Sequence, residues 1–167
     1  MSYLDIRPVG IALACGFAIL AASAAPASAA SLSRSVDVNG TPASVWQVIG
    51  PFCAIKDWHP AIGTCTETNT NPPTRTLVTK DGKATFVEPQ TARSDADHSY
   101  SYAIKSSPLP LANYVSTIKV TAKGNNMSTV TWSSTYTPEQ GKEKEADAAL
   151  SGIYEAGLDA IKAKLAK

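Results

Sequence analysis

The fold is decided near the C-terminus by residues 150–165, which read LSGIYEAGLDAIKAKL. Apolar side chains recur there every three to four residues, the spacing that puts them on one face of an α-helix. Acidic residues precede the stretch and lysines end it, so both complement the helix dipole. We predict one long C-terminal helix after Pro138. Its apolar stripe consists of Leu150, Ile153, Tyr154, Leu158, Ile161 and Leu165.

Residues before this helix mostly alternate between apolar and polar side chains, which is typical of β-strands. We predict strands at 33–38, 63–68, 74–79, 84–93, 99–105, 114–121 and 128–137. Two short helices are predicted after the first strand, one from the Thr41 N-cap and Pro42 to Ile49, and one at 52–58. An antiparallel sheet with helices on one face is an α+β fold. The inward face of that sheet is the surface against which the long helix must pack.

The first 29 residues have the layout of an export signal, in which a charged start precedes an apolar run and small residues. The apolar run at 9–22 is about 14 residues long, whereas a membrane span needs about 20. Ala27 and Ala29 occupy the small positions that a signal peptidase recognises. We predict cleavage after Ala29, one domain at 30–167, and a periplasmic or secreted protein. An uncleaved membrane anchor is the alternative. A lipoprotein is a poor fit, because Cys15 lies within the apolar run at 9–22.

Two cysteines, Cys53 and Cys65, remain after the predicted cleavage. Disulfides persist in exported proteins, so an even pair predicts one bridge, with free buried thiols as the alternative. The two cysteines and the histidines His59 and His98 do not have the spacing of zinc ligands, so we expect no metal site.

The charge and motif content exclude several classes of function. The chain has 15 basic and 14 acidic side chains and a net charge of +1, which gives no reason to expect nucleic acid or an anionic membrane as a partner. A phosphate-cradling Gly-rich loop and a Gly-x-Ser-x-Gly nucleophile elbow are both missing from the sequence. We therefore expect no cofactor and no nucleophilic catalysis.

Two segments resemble a known family: ASVWQVIGPF at 43–52 and KDWHP at 56–60. They resemble the opening helix and the Trp-His-Pro turn of the polyketide cyclase/dehydrase-like group in the START and Bet v 1-like (SRPBCC) superfamily. The resemblance covers about 32–167 and implies a helix-grip fold, a curved antiparallel sheet of about seven strands around a long C-terminal helix. It also implies a cavity between sheet and helix for lipids, sterols, aromatic polyketides or other apolar ligands, but it carries no universal catalytic residues.

SSPLP at 106–110 and the strand with Tyr100 and Tyr102 are similar to an exported branch of the family, some of whose members accompany methanol oxidation. This resemblance implies that another exported protein is a candidate partner.

Aromatic side chains on the predicted inward sheet face, together with the Trp-His-Pro turn, are the candidates for ligand binding. They are Trp58, His59, Tyr100, Tyr102, Tyr114, Trp132 and Tyr136. Small helix residues opposite them would leave room for an amphipathic small molecule. These are Ala149, Gly152, Ala156 and Gly157. The alternative is an ordinary core in which the large rings fill that room.

Two residues, His59 and Glu88, are weak candidates for acid–base catalysis. A turn histidine that bonds the backbone is the alternative for His59. We expect Glu88 to be a solvated edge charge, and it becomes a site candidate only if it points inward. Arg75 and Arg93 are expected to be surface charges, unless they hold an anionic ligand group.

Three functions are consistent with these residues. The first is an exported binding protein for an apolar or aromatic small molecule. The second is a cyclase or dehydratase in which His59 acts with Glu88 or a tyrosine hydroxyl. The third is an accessory protein that binds another exported protein, which an exposed apolar patch at 108–110 would favour.

Overall fold

The computed structural model describes residues 28–166, so the predicted export signal up to residue 27 lies outside the described residues and stays a prediction. Seven strands and three helices follow one another along the chain. They are β1 (Ala30–Asn39), α1 (Pro42–Ile49), α2 (Ile55–Trp58), β2 (Ile62–Glu67), β3 (Thr74–Thr79), β4 (Thr85–Ser94), β5 (Ser99–Ala103), β6 (Leu111–Gly124), β7 (Met127–Pro138) and α3 (Glu143–Leu165). Within 28–166, none of the helices combines the length and the apolarity that crossing a bilayer requires.

The seven strands form one antiparallel sheet in the order β1-β7-β6-β5-β4-β3-β2. The long helix α3 packs across its inward face, chiefly against β1 and β7. The predicted α+β helix-grip fold is therefore confirmed. β1 is longer than predicted because it pairs with β7 from Ala30, opposite Tyr136, to Asn39, opposite Met127. The polar serines at its start carry no periodic signal, so the sequence did not reveal this extension.

The core lies between α3 and the inward face of the sheet. Alternate residues of β5 and β7 are buried, including Tyr102 and Trp132, as the period of two requires. On α3, four of the six predicted stripe residues are buried and the other two, Ile153 and Leu165, are half-buried. Burying one such side chain stabilises the fold by about 1.5–3 kcal/mol.

The predicted row of small residues on α3 does not line a gap. Gly152 and Ala156 are exposed and Ala149 is half-buried, so that part of the prediction is wrong. Gly152 lies three residues after Ala149 and four before Ala156, so these three residues share one helix face, which lies beside the apolar stripe and not within it. Gly157 alone of the four is buried.

Aromatic rings fill the space in front of Gly157. A Cβ atom at this position would lie 2.8 Å from His59 Cδ2, 2.8 Å from Trp132 Cζ3 and 3.1 Å from Trp58 Cζ3. Carbon atoms in contact prefer separations of about 3.5–4.0 Å. The hydrogen side chain of Gly157 is therefore what lets α3 approach the three rings.

A disulfide joins Cys53 and Cys65, with their Cα atoms 5.6 Å apart, as predicted. It ties the segment between α1 and α2 to the middle of β2. The cysteines are 12 positions apart, and closing such a short loop stabilises the fold by roughly 3 kcal/mol or less on the chain-entropy model.

Candidate functional site

A cavity of about 80 Å³ lies between the sheet and α3. Its apolar walls are formed by Ile55, Ile62, Leu77, Phe86, Ile104, Leu109, Leu150 and Ile153. In the cavity wall Ala61 is exposed, and Thr79, Phe86, Ile104, Leu109 and Ile153 are half-buried, so these residues mark the mouth. The other end is buried and aromatic. The cavity is well below the roughly 300–1,000 Å³ of typical ligand sites, because large rings occupy much of the interior.

Four of the seven predicted ligand-binding residues line this cavity: His59, Tyr102, Tyr114 and Trp132. Glu88 and Thr79 add two further polar side chains to the wall. The sheet brings all of these residues except His59 together because the inward-facing positions of neighbouring strands lie side by side. His59 reaches the wall from the turn between α2 and β2. Whether they bind a ligand stays a prediction.

The other three predicted residues, Trp58, Tyr100 and Tyr136, lie outside the cavity wall. Tyr100 packs edge-on against Phe52 with ring centroids 5.5 Å apart, and Trp58 meets Trp132 edge-on at 5.8 Å. Tyr136 faces the start of α3 instead. These three residues build the core around the cavity.

His59 is held by the backbone on both sides of its ring. Its Nε2 lies 3.0 Å from the carbonyl oxygen of Ile153, and its Nδ1 accepts a hydrogen bond from the Ala61 N–H at 3.2 Å. A nitrogen that accepts carries no proton, so the ring is the neutral tautomer with its proton on Nε2. Burial lowers the pKa of His59, and the Ile153 contact opposes this only in part. His59 thus fastens the turn before β2 to α3 and has no free nitrogen for proton transfer.

Glu88 points inward, so the expectation of a solvated edge charge was wrong. Its Oε2 accepts a hydrogen bond from Arg75 Nε at 2.7 Å, and the Arg75 side chain is fully buried. Arg75, also expected at the surface, sits on the inward face of β3 with Leu77, directly opposite Glu88 in the β3–β4 pairing. Arg93 is exposed as expected.

Neighbouring groups stabilise the buried guanidinium of Arg75. Its Nη1 donates to the Phe52 carbonyl oxygen at 2.6 Å, and its Cζ lies 4.2 Å from the Phe52 ring centroid and 4.7 Å from that of Tyr102. Cation–π contacts of this kind gain strength when desolvated. Burial alone would lower the pKa of Arg75, but attraction by Glu88 and by two tyrosines raises it above its usual value, so the group stays charged. Burial raises the pKa of Glu88 against the opposing effect of Arg75.

Hydroxyl groups form a chain at the buried end of the cavity. Trp132 Nε1 donates to the Tyr102 hydroxyl at 3.1 Å and to Ser116 Oγ at 3.0 Å. The Tyr114 and Tyr154 hydroxyls lie 2.6 Å apart, and Tyr154 lies 3.1 Å from Ser116 Oγ. Burial raises the pKa of Tyr102 and Tyr114 well above the usual value, so both hydroxyls keep their protons.

Comparison with known families agrees with this architecture. The family model described as "Polyketide cyclase / dehydrase and lipid transport" matches residues 29–166. The chain belongs to this family. The match extends over nearly the whole range that the structure describes. No curated protein matches the chain.

Solved structures of bacterial proteins are similar to the chain. XoxI from Bacillus cereus is 35% identical, with 83% of this chain and 96% of that chain covered and a TM-score of 0.78. An uncharacterized protein from Bacillus thuringiensis is 34% identical, with 83% and 100% covered and a TM-score of 0.77. The Zhui aromatase/cyclase from Streptomyces sp. R1128 is 13% identical, with 83% and 94% covered and a TM-score of 0.67, which shows a shared fold alone.

Proposed function

We propose that the mature protein is an exported small-molecule-binding protein whose ligand occupies the cavity between the sheet and α3. One observation carries this proposal: the mostly apolar walls of the cavity also contain two polar side chains from its buried part, the carboxylate of Glu88 and the tyrosine Tyr102. Apolar walls with a few placed polar groups are the usual composition of a ligand site.

The volume limits the ligand. About 80 Å³ is roughly half of the 150 Å³ of an engineered cavity that binds benzene. A short-chain molecule fits without movement, whereas a larger one requires Leu109 and Ile153 at the mouth to move apart. Both side chains are half-buried, so they have room to do so.

Export is part of the proposal. Signal cleavage after Ala29 would leave Ala30, the first residue of β1, at the new N-terminus. The Cys53–Cys65 bridge supports export, because disulfides persist in oxidising compartments outside the cytosol. Fractionation of the source cells followed by N-terminal sequencing tests this. A chain that starts at Met1 in the soluble cytosolic fraction would contradict it.

A cyclase or dehydratase activity is the second candidate, because Glu88 faces the cavity. His59 does not favour this activity, since both of its ring nitrogens are engaged with the backbone. Binding of another exported protein gains no support from the segment 108–110, because Leu109 lines the cavity mouth. Within 28–166, Val115 is the one large hydrophobic side chain that is exposed.

Two measurements test ligand binding. Native mass spectrometry of protein purified from its source is expected to show a co-purified small molecule. Two-dimensional NMR with butan-1-ol and n-pentane is expected to shift the signals of cavity residues.

Ala61→Phe places a ring at the mouth and should weaken binding. Ala148→Phe is the matched control, since Ala148 is an exposed alanine on α3 outside the cavity wall. If neither probe shifts cavity signals and no molecule co-purifies, the proposal fails.

A further inference from the structure

The hydrogen bonds at the inner end of the cavity have a fixed direction. Ser116 Oγ lies 2.9 Å from the Ser133 carbonyl oxygen, which can only accept, so the single Ser116 proton is used there. Ser116 must then accept from Tyr154, whose proton is used in turn. At their 2.6 Å contact, Tyr114 is therefore the donor and Tyr154 the acceptor.

Tyr102 is left with a proton that no strong acceptor holds. Its oxygen accepts from Trp132 Nε1 at 3.1 Å, and its remaining contact is with the Tyr114 hydroxyl at 3.5 Å. Hydrogen bonds between hydroxyl groups are normally about 2.5–3.0 Å long. Tyr102 lines the cavity, whereas Tyr154 and Ser116 do not. Among these hydroxyl groups, the one weakly bonded proton therefore belongs to Tyr102, which lines the cavity and can contact a ligand.

Glu88 provides a complementary acceptor. Oε2 is occupied by Arg75, while Oε1 has no hydrogen-bond donor among the residues that the structure describes. Arg75 is not part of the cavity wall; its other bonded nitrogen points to the Phe52 carbonyl. A molecule in the cavity thus faces the negative end of the ion pair.

We propose that the cavity selects a small neutral molecule with a hydroxyl group, which accepts a hydrogen bond from Tyr102 and donates one to Glu88. This inference rests on the ligand-binding function proposed above and names its ligand class, a compact alcohol. An ether accepts from Tyr102 but cannot donate to Glu88. A carboxylate ligand places its charge against that of Glu88, whereas Arg75 is not part of the cavity wall.

The test compares four probes of similar length by NMR titration: butan-1-ol, methyl propyl ether, butanoate and n-pentane. Butan-1-ol should bind the wild-type protein about tenfold or more tightly than the ether, because a hydrogen bond to a charged acceptor is among the stronger ones. Butanoate should bind more weakly than both.

The variant Tyr102→Phe distinguishes the contribution of the Tyr102 hydrogen bond from that of the Glu88 hydrogen bond. It removes the donor but keeps the ring, so affinity for butan-1-ol and for the ether should fall by about three- to tenfold. Affinity for n-pentane, which makes no hydrogen bond, should stay within about twofold and shows that the variant is folded.

Three results would overturn the ligand class: equal affinity for alcohol and ether, binding of butanoate as tight as that of butan-1-ol, or equal losses for all probes in Tyr102→Phe. In each case the cavity still binds small molecules and the proposed function stands. Failure of all four probes to bind the wild type would instead count against the proposed function itself.

Discussion

Replacing Gly157 by alanine tests the packing between α3 and the aromatic rings. The added methyl group would lie 2.8 Å from ring atoms of His59 and Trp132 and 3.1 Å from Trp58. These rings are buried and cannot swing away as a flexible side chain would. Helix and rings must therefore separate by several tenths of an ångström, and overpacking of a core costs about 1–3 kcal/mol.

Two opposing effects set the change in the free energy of unfolding caused by Gly157→Ala. Alanine is better than glycine within a helix by about 1 kcal/mol, so Gly157→Ala should lower the free energy of unfolding by a net amount of about 1 kcal/mol. Gly152→Ala is the matched control on the same helix. Gly152 is exposed, and its new Cβ would have no neighbouring atom within 4 Å. It should raise the free energy of unfolding by about 1 kcal/mol.

Urea unfolding with the disulfide intact, followed by tryptophan fluorescence, measures both variants. The helix-propensity gain cancels in their difference, so Gly157→Ala should be about 2 kcal/mol less stable than Gly152→Ala at similar m-values. Equal stabilisation by the two substitutions would refute the close approach of α3 to the rings.

Three further perturbations have defined outcomes. Replacing Cys53 and Cys65 by serine should lower the free energy of unfolding by roughly 3 kcal/mol or less, as measured with urea. Because the pKa of His59 is lower in the folded protein, the unfolded chain takes up this proton at a higher pH than the folded protein does. The free energy of unfolding should therefore fall as pH drops below about 6.5, by at most about 1.4 kcal/mol per pH unit from this residue. His59→Gln should flatten this part of the stability curve measured with urea. Arg75→Met should cost about 3–5 kcal/mol because it leaves a buried carboxylate without a partner, and adding Glu88→Gln should recover part of the loss.

The contrary results are equally specific. A wild-type protein whose urea midpoint does not change on reduction would mean that the bridge adds no stability. If the free energy of unfolding of His59→Gln depended on pH as that of the wild type does, a group other than His59 would be responsible for the loss of stability at low pH. An Arg75→Met/Glu88→Gln double variant less stable than the single one would show that the carboxylate is stabilised independently of the guanidinium.

Much of the fold could be predicted because its main elements have strong periodic patterns. The stripe on α3 has helical spacing, and the predicted bounds of β3, 74–79, coincide with those observed. The two cysteines that remain after the predicted cleavage allowed a single pairing, and the structure contains that disulfide. Counting and periodicity were sufficient for these features.

The candidate site was harder to predict because it depends on strand register and on the rotation of a helix. A two-residue turn at Asp81 and Gly82 already places Arg75 opposite Glu88, as observed. The sequence therefore contained the information that pairs Arg75 with Glu88. The two residues were expected at the surface because charged side chains generally lie there. The position of Gly157 against the rings depends on how α3 is rotated, which no local pattern specifies.

The Cys53–Cys65 bridge also bears on when the protein can bind. Ile55, His59, Ala61 and Ile62, all in the cavity wall, lie in the loop that it closes. If the protein is exported as proposed, a newly made chain in the reducing cytosol lacks the disulfide that fastens this wall, so oxidation and ligand binding are expected to occur on the same side of the membrane. The protein would then arrive empty and be loaded only after export, which weaker binding of butan-1-ol in the presence of reductant would reveal.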